Sequence, residues 1–123
     1  LVILAKKLAD ANVGNVELVV GLALETTLPA SSCDLVFLAN VWHEHDDLIA
    51  VLDECQRVLK PSGRIAILDW RADLPEPPGP PIQHRIAVHD VKKMLDSAGW
   101  TSVTNAQTGA YNYLVTGSGI DIK

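Results

Sequence analysis

The sequence predicts an α/β domain: a three-layer, mostly parallel twisted sheet that closes with a C-terminal antiparallel hairpin. Three observations carry this reading. Residues 35–39 form an uninterrupted apolar run, the pattern of a strand covered on both faces. A helical stripe follows, and Pro61-Ser62-Gly63 then turns the chain into a second apolar strand over residues 65–70. Finally, residues 100–106 and 111–116 flank the turn Gln107-Thr108-Gly109-Ala110, as in a hairpin. Strand, helix, strand, helix and hairpin in that order place one reversed strand in an otherwise parallel sheet.

The elements are justified in turn. Residues 1–11 carry apolar side chains at 1, 4, 5, 8, 9 and 11 with Lys6, Lys7 and Asp10 opposite, which is helical spacing. Residues 12–15 turn at Gly14, residues 16–20 read as a short strand closed by Gly21, and residues 22–32 are rich in turn formers. Asp46 or Asp47 is placed to cap the next helix, where a carboxylate suits the positive helix start. Leu48, Ile49, Val51, Leu52, Cys55, Val58 and Leu59 form its buried stripe, and Pro61 stops it. Residues 71–81 hold five prolines and one glycine and must be irregular. Residues 90–98 are helical, ending at Gly99, with His89 and Asp90 as capping residues. Tyr111 and Tyr113 are expected on one face of the final strand.

With 123 residues the chain makes one domain, able to bury a single core without disulfides or metals. Ten Lys and Arg against fifteen Asp and Glu give a net charge of −5 and no basic stripe, which argues against a dedicated nucleic-acid binder. No apolar run approaches the roughly 20 residues that span a bilayer, and no signal-peptide pattern is present. Cys33 and Cys55 stand in unrelated settings and make neither a zinc pattern nor a disulfide framework, so a cytoplasmic location is expected. Leu1 is not methionine and begins mid-pattern with no preceding cap, so residues 1–123 read as a single truncated domain.

The densest polar cluster is His43, Glu44, His45, Asp46 and Asp47, directly after the apolar strand. It reads either as an elbow facing a ligand, with His43 as a general base, or as a solvated loop whose acids cap a helix. Imidazole and carboxylate also suit a metal, although no ligand set is assigned. Asn40 ends a central parallel strand, where ligands gather in open α/β sheets, or is simply a turn residue. Asp69 and Trp70 end the neighbouring strand and face the same crevice or the core. Arg85 and His84 follow the proline loop, suited to an anionic substrate or to the surface.

The run from Asp34 through the elbow to Arg57-Val58-Leu59-Lys60-Pro61-Ser62-Gly63-Arg64 resembles the second half of a class I S-adenosylmethionine-dependent methyltransferase. The "RVLKPGG"-like ending of the helix is the most specific match, and Pro78-Gly79-Pro80-Pro81 with Arg85 is similar to a substrate-side loop of small-molecule members. The resemblance implies a truncated Rossmann-like methyltransferase fold, S-adenosylmethionine as cofactor and a small-molecule acceptor. It implies that Gly21, Leu22, Asn40 and Val41 border the cofactor, that His43 and Glu44 are catalytic, and that His45, Trp70 and Arg85 face the substrate.

Two features depart from the family's pattern. The glycine-rich loop after the first strand, and the acidic residue that ends the second, have no counterpart in the sequence. Leu22 also stands where the family often has an acid on the adenine amino group. Charge-assisted hydrogen bonds contribute about 1.5–3 kcal/mol each. Losing two or three removes about 3–9 kcal/mol, or roughly two to six decades of affinity. The expectation is therefore weak cofactor binding by this chain alone. The alternative is a non-catalytic module that dimerises, or pairs with a partner, through the open edge of the strand at residues 35–39.

Overall fold

The computed structural model describes residues 2–19, 21–40, 42, 47–73 and 80–119. Its elements are α1 (Val2–Asp10), β1 (Cys33–Ala39), α2 (Leu48–Val58), β2 (Leu59–Trp70), a single 3₁₀ turn (Ile82–His84), α3 (Val88–Ser97), β3 (Thr101–Thr108) and β4 (Asn112–Ser118).

Four strands form one sheet in the order β1-β2-β4-β3. β1 runs parallel to β2, while β4 is antiparallel to both β2 and β3. Three strands therefore point one way and β4 alone is reversed, as the sequence predicts.

Alternation along the strands decides which residues meet the helices. Val36 and Leu38 of β1 lie level with Ile65 and Ile67 of β2, which lie level with Gly117 and Val115 of β4. On that face Val51, Leu52 and Cys55 of α2 and Val91 and Leu95 of α3 join Ile65, Ile67, Tyr113 and Val115 in one core. Both packed helices thus cover the same face. The opposite face, with Leu35, Phe37, Ala66 and Leu68, has no helix layer among the described residues, and Leu35 and Phe37 are each 57% exposed. α1 buries none of its side chains.

Several boundaries differ from expectation for physical reasons. Residues 16–19 form no strand, and Val20 lies outside the described residues. A strand needs a neighbour to satisfy its backbone, and among the described residues of this region the pairing is limited to the small bridge between Leu22 and Glu25. α2 ends at Val58 rather than at Pro61, because Leu59 is already extended and pairs with Cys33. β2 consequently starts at Leu59, and the Lys-Pro-Ser-Gly segment belongs to the strand. Ile49, expected on the buried stripe, is exposed.

The N-cap of α2 is Asp47, whose carboxylate accepts the Ala50 N–H at 3.0 Å. Asp46 lies outside the described residues. α3 begins at Val88 with Ala87 at its N-cap and no side-chain cap, so His89 and Asp90 sit inside the first turn rather than capping it. Gly99 stops the helix as predicted, at φ 93°, where any side chain would be strained. Tyr111 lies in the hairpin turn and is exposed, whereas Tyr113 is buried in β4, so the two tyrosines do not share a strand face. Among the described residues, no helix is long and apolar enough to cross a membrane.

Candidate functional site at the strand ends

Open α/β sheets bind ligands beyond the carboxyl ends of their parallel strands. At that end of this sheet stand Asn40 after β1, Asp69 and Trp70 at the end of β2, and Asn112 at the start of the reversed β4. Asn40 leaves the strand at φ 58°, the left-handed region that asparagine enters more readily than most residues. Its N–H donates to the Leu68 carbonyl at 2.7 Å. Its Oδ1 accepts from Asn112 Nδ2 at 3.2 Å, and the same amide reaches the Asp69 carbonyl at 3.2 Å.

Asp69 is turned into the helix-covered face and is almost wholly buried, with Oδ1 accepting the Trp70 N–H at 2.8 Å. It therefore belongs to the core, not to the crevice. Tyr113 donates its hydroxyl proton to the Ile86 carbonyl at 3.0 Å, and burial, with the charge of Asp69, pushes its phenol above the ordinary value.

Trp70, half-buried, carries the Arg85 guanidinium 5.8 Å from its ring centroid. Arg85 is itself buried; its Nε donates to the Pro80 carbonyl at 3.0 Å and its Nη1 to the Arg71 carbonyl at 3.1 Å. One side chain thus joins the two ends of the 71–80 segment. The sequence suggested an anionic substrate for this arginine, but these two N–H groups are committed to backbone carbonyls. His84 is exposed in the 3₁₀ turn.

Beside these groups a cavity of about 270 Å³ opens between the end of β2, the start of α3 and β3. Arg71, Asp73, His89, Gln107 and Tyr113 are among its walls. Arg71 holds Asp73 through two bonds, at 3.0 and 2.8 Å. Sequence reasoning missed these wall residues, because only the docking of the hairpin against α3 brings Gln107 and Tyr113 to His89. No local signal marks them.

Val41, His43, Glu44 and His45 lie outside the described residues. Trp42, between them, is fully buried, and its indole N–H has no acceptor among the described residues. A buried donor left unpaired is uncommon and costly.

Gly21 and Leu22 line a different, open groove of about 420 Å³ with Glu17, Ala23, Thr26 and Leu28. The Leu22 N–H donates to the Glu25 carbonyl at 3.3 Å, and the Leu22 carbonyl accepts the Glu25 N–H at 3.0 Å. This segment is fastened to α2 by Glu54. Its carboxylate accepts the Thr26 N–H at 2.8 Å and the Thr26 hydroxyl at 2.6 Å, and it receives Arg57 Nε and Nη2 at 2.7 and 2.8 Å. Arg57 Nη2 also reaches the Leu28 carbonyl at 2.7 Å. The Arg57 bonds, with those from Thr26, outweigh burial and lower the Glu54 carboxyl from 4.5 to about 2. Cys55, one residue on, is a buried thiol raised to about 12, chiefly by burial, and so carries no thiolate chemistry.

Comparison with known proteins agrees with this architecture. The sequence pattern described as "Methyltransferase domain" matches residues 2–67, more than half of the chain. A demethylmenaquinone methyltransferase of Listeria monocytogenes is 39% identical over 64 residues, which cover 52% of this chain and 27% of that protein. A SAM-dependent methyltransferase from Aquifex aeolicus superposes with a TM-score of 0.86 at 27% identity, over 94% of this chain and 61% of that one. A type 11 methyltransferase from Sulfolobus solfataricus, described as putative, gives 0.73 at 23% identity, over 98% and 68% respectively. The match thus spans about a quarter of the length of the curated relatives. With its strand order, its one reversed strand and the matched residues taken together, this chain belongs to the methyltransferase-domain family.

Proposed function

We propose that this chain supplies the acceptor side of an S-adenosylmethionine-dependent methyltransferase acting on a small molecule. The observations that support this best are the placement of Asn40 and Trp70 at the carboxyl ends of two adjacent parallel strands and the cavity beside the end of β2, walled from Arg71 onward. Methyl transfer is an in-line displacement, so what the protein mainly supplies is positioning of the acceptor. Trp70 offers a ring face for an acceptor, and Arg85 fixes that ring and the adjoining backbone. His43 and Glu44 are the groups proposed to take the acceptor's proton, with His45 beside them.

The cofactor candidates fit S-adenosylmethionine only in part. Leu22 has both backbone groups engaged with Glu25 and an apolar side chain, so it offers no acceptor to an adenine amino group. The Asn40 side-chain oxygen is engaged with Asn112. Gly21 and Val41 carry no polar side chain. The described residues thus provide walls rather than grips, and the chain alone is expected to hold the cofactor at millimolar strength or weaker. Free thiols at Cys33 and Cys55 support a reducing, cytoplasmic setting.

Calorimetry with S-adenosylmethionine, together with transfer of a labelled methyl group to a panel of phenols, quinols and amines, tests the reading. Weak binding, with label transfer that falls in Trp70→Ala and His43→Ala, is the expected result. A micromolar dissociation constant overturns the weak-grip assignment. Absence of both transfer and any cofactor-induced change in tryptophan fluorescence at millimolar concentration overturns the methyltransferase role.

A further inference from the structure

The cavity of about 270 Å³ beside the end of β2 has a chemistry of its own. Its walls are drawn from residues 71–113: the chain after β2, the start of α3, then β3 and β4. Asp69 lies level with Tyr113 and faces the helices, so by strand alternation Trp70 faces the other side. Trp70 is not among the walls, whereas Arg71 and Tyr113 are. The cavity thus lies on the helix-covered side of the strand end, and the Trp70 ring on the opposite side.

Among the described residues the walls carry no uncompensated charge. Arg71 is matched by Asp73 through two bonds, at 3.0 and 2.8 Å, so the pair adds no net charge. Asp90, in the first turn of α3, offsets the positive helix start. Burial and the charge of Asp69 push the Tyr113 phenol up, so it keeps its proton, and its hydroxyl is occupied by the Ile86 carbonyl. His89 is exposed, where solvent screens it.

What remains is apolar surface beside neutral hydrogen-bonding groups. Ala72, Ala87, Val88 and the Tyr113 ring supply the apolar part. Gln107 Nε2 donates to the Gly109 carbonyl at 3.0 Å, which leaves its Oε1 to accept. Asn105 brings an amide with both a donor and an acceptor. Arg71 Nη1 is the guanidinium nitrogen that Asp73 does not engage. The volume equals about nine waters of the liquid, the size of one substituted ring.

We infer that this cavity is a specificity subsite for an uncharged aromatic ring bearing both a hydrogen-bond donor and an acceptor, as in a hydroxyaryl amide or ketone. A carboxylate or an ammonium placed there sheds water and finds no free counter-charge. A neutral ring loses little hydration, lies against the apolar walls and meets Gln107 and Asn105 with its polar atoms. That the ring is part of the methyl acceptor rests on the function proposed above; its binding does not. The subsite selects the acceptor and takes no part in proton transfer.

The test uses the purified 123-residue chain and probes that share one ring: neutral meta-hydroxybenzamide, anionic meta-hydroxybenzoate and cationic meta-(aminomethyl)phenol. In an amide-resolved NMR titration the neutral probe is expected to bind with a dissociation constant of about 1 mM or tighter. Both charged probes are expected to bind at least tenfold more weakly. Shifts are expected at Val88 and Gln107 and not at Leu22. Asp73→Asn frees the Arg71 guanidinium and is expected to strengthen meta-hydroxybenzoate at least tenfold. Gln107→Glu is expected to strengthen the ammonium probe and to weaken the amide. Both positions are exposed, and circular dichroism is expected to stay unchanged in each variant. No binding of the amide at several millimolar, equal or tighter binding of either charged probe, or a charge preference indifferent to Asp73→Asn overturns the subsite. Labelled methyl transfer that persists while the amide fails to bind overturns the subsite and leaves the methyltransferase reading standing. Amide binding without any transfer does the reverse.

Discussion

Asn112 of β4 reaches across β2 toward β1, with which β4 does not pair: its amide donates to Asn40 Oδ1 beyond β1 and to the Asp69 carbonyl in β2, each at 3.2 Å. Asn40 accepts this bond while held at φ 58°. A glycine tolerates that backbone and loses only the bond, whereas a β-branched residue is strained there. Asn40→Gly is expected to cost about 1 kcal/mol, and Asn40→Val about 2–4 kcal/mol once strain is added. Urea denaturation of both, with Asn112→Ala, reads the difference. Asn40→Gly and Asn112→Ala should be less than additive, since they remove one shared bond.

Glu54 makes part of the stability pH-dependent. Its carboxyl sits near 2 in the folded chain against an ordinary 4.5, so the folded state favours the ionised form. That contribution is complete above about pH 4.5 and is lost as pH falls toward 2. Glu54→Gln keeps the shape without the charge and is expected to lower stability at neutral pH by about 1.5–3 kcal/mol, one charge-assisted bond. Midpoints of wild type and Glu54→Gln measured from pH 7 downward should converge in acid; a constant gap contradicts the assignment.

Gly63 permits the close crossing where β2 leaves the helix. A Cβ there would sit 2.8 Å from Leu59 Cδ2 and 2.9 Å from the Lys60 carbonyl oxygen. The side-chain atom can move, but the backbone oxygen cannot do so cheaply. Gly63→Ala is expected to destabilise by about 1–3 kcal/mol, read as a lower thermal midpoint.

Arg85 bridges Pro80 and Arg71 through two separate N–H groups while lying over Trp70. A lysine reaches one carbonyl at most and does not stack as a plane. Arg85→Lys should retain fold but raise the rate of proteolytic cleavage within residues 71–80, with a stability loss of about 1.5–3 kcal/mol. An unchanged digestion pattern counts against the bridge.

The sequence made the parallel strand pair, its connecting helix and the final hairpin legible, because each is written in local periodicity and, for the hairpin, in turn chemistry at Gly109. It mislaid residues 16–19, whose apolar run reads as part of a strand although pairing depends on a neighbour that periodicity does not encode. It carried α2 past Val58 because Leu59 continues the apolar spacing, while a tertiary partner, Cys33, claims that residue for the sheet. Of the candidate site, Asn40 and Trp70 were readable from their positions at strand ends. Arg85 was read as a substrate-side charge, whereas its commitment to Pro80 and Arg71 is a product of chain geometry. His89, Gln107 and Tyr113 meet only after the hairpin docks, so nothing in their own neighbourhoods announces them.

Among the described strands β4 comes last in sequence, yet it sits inside the sheet, between β2 and β3. Trp70 must wait for Asn112 before that side of β2 is satisfied, so a long stretch of chain is ordered before the interior pairing closes. Such non-local closure slows folding. During synthesis β2 would therefore leave the ribosome with one side unmet, and only the arrival of residues 112–118 would lock the sheet.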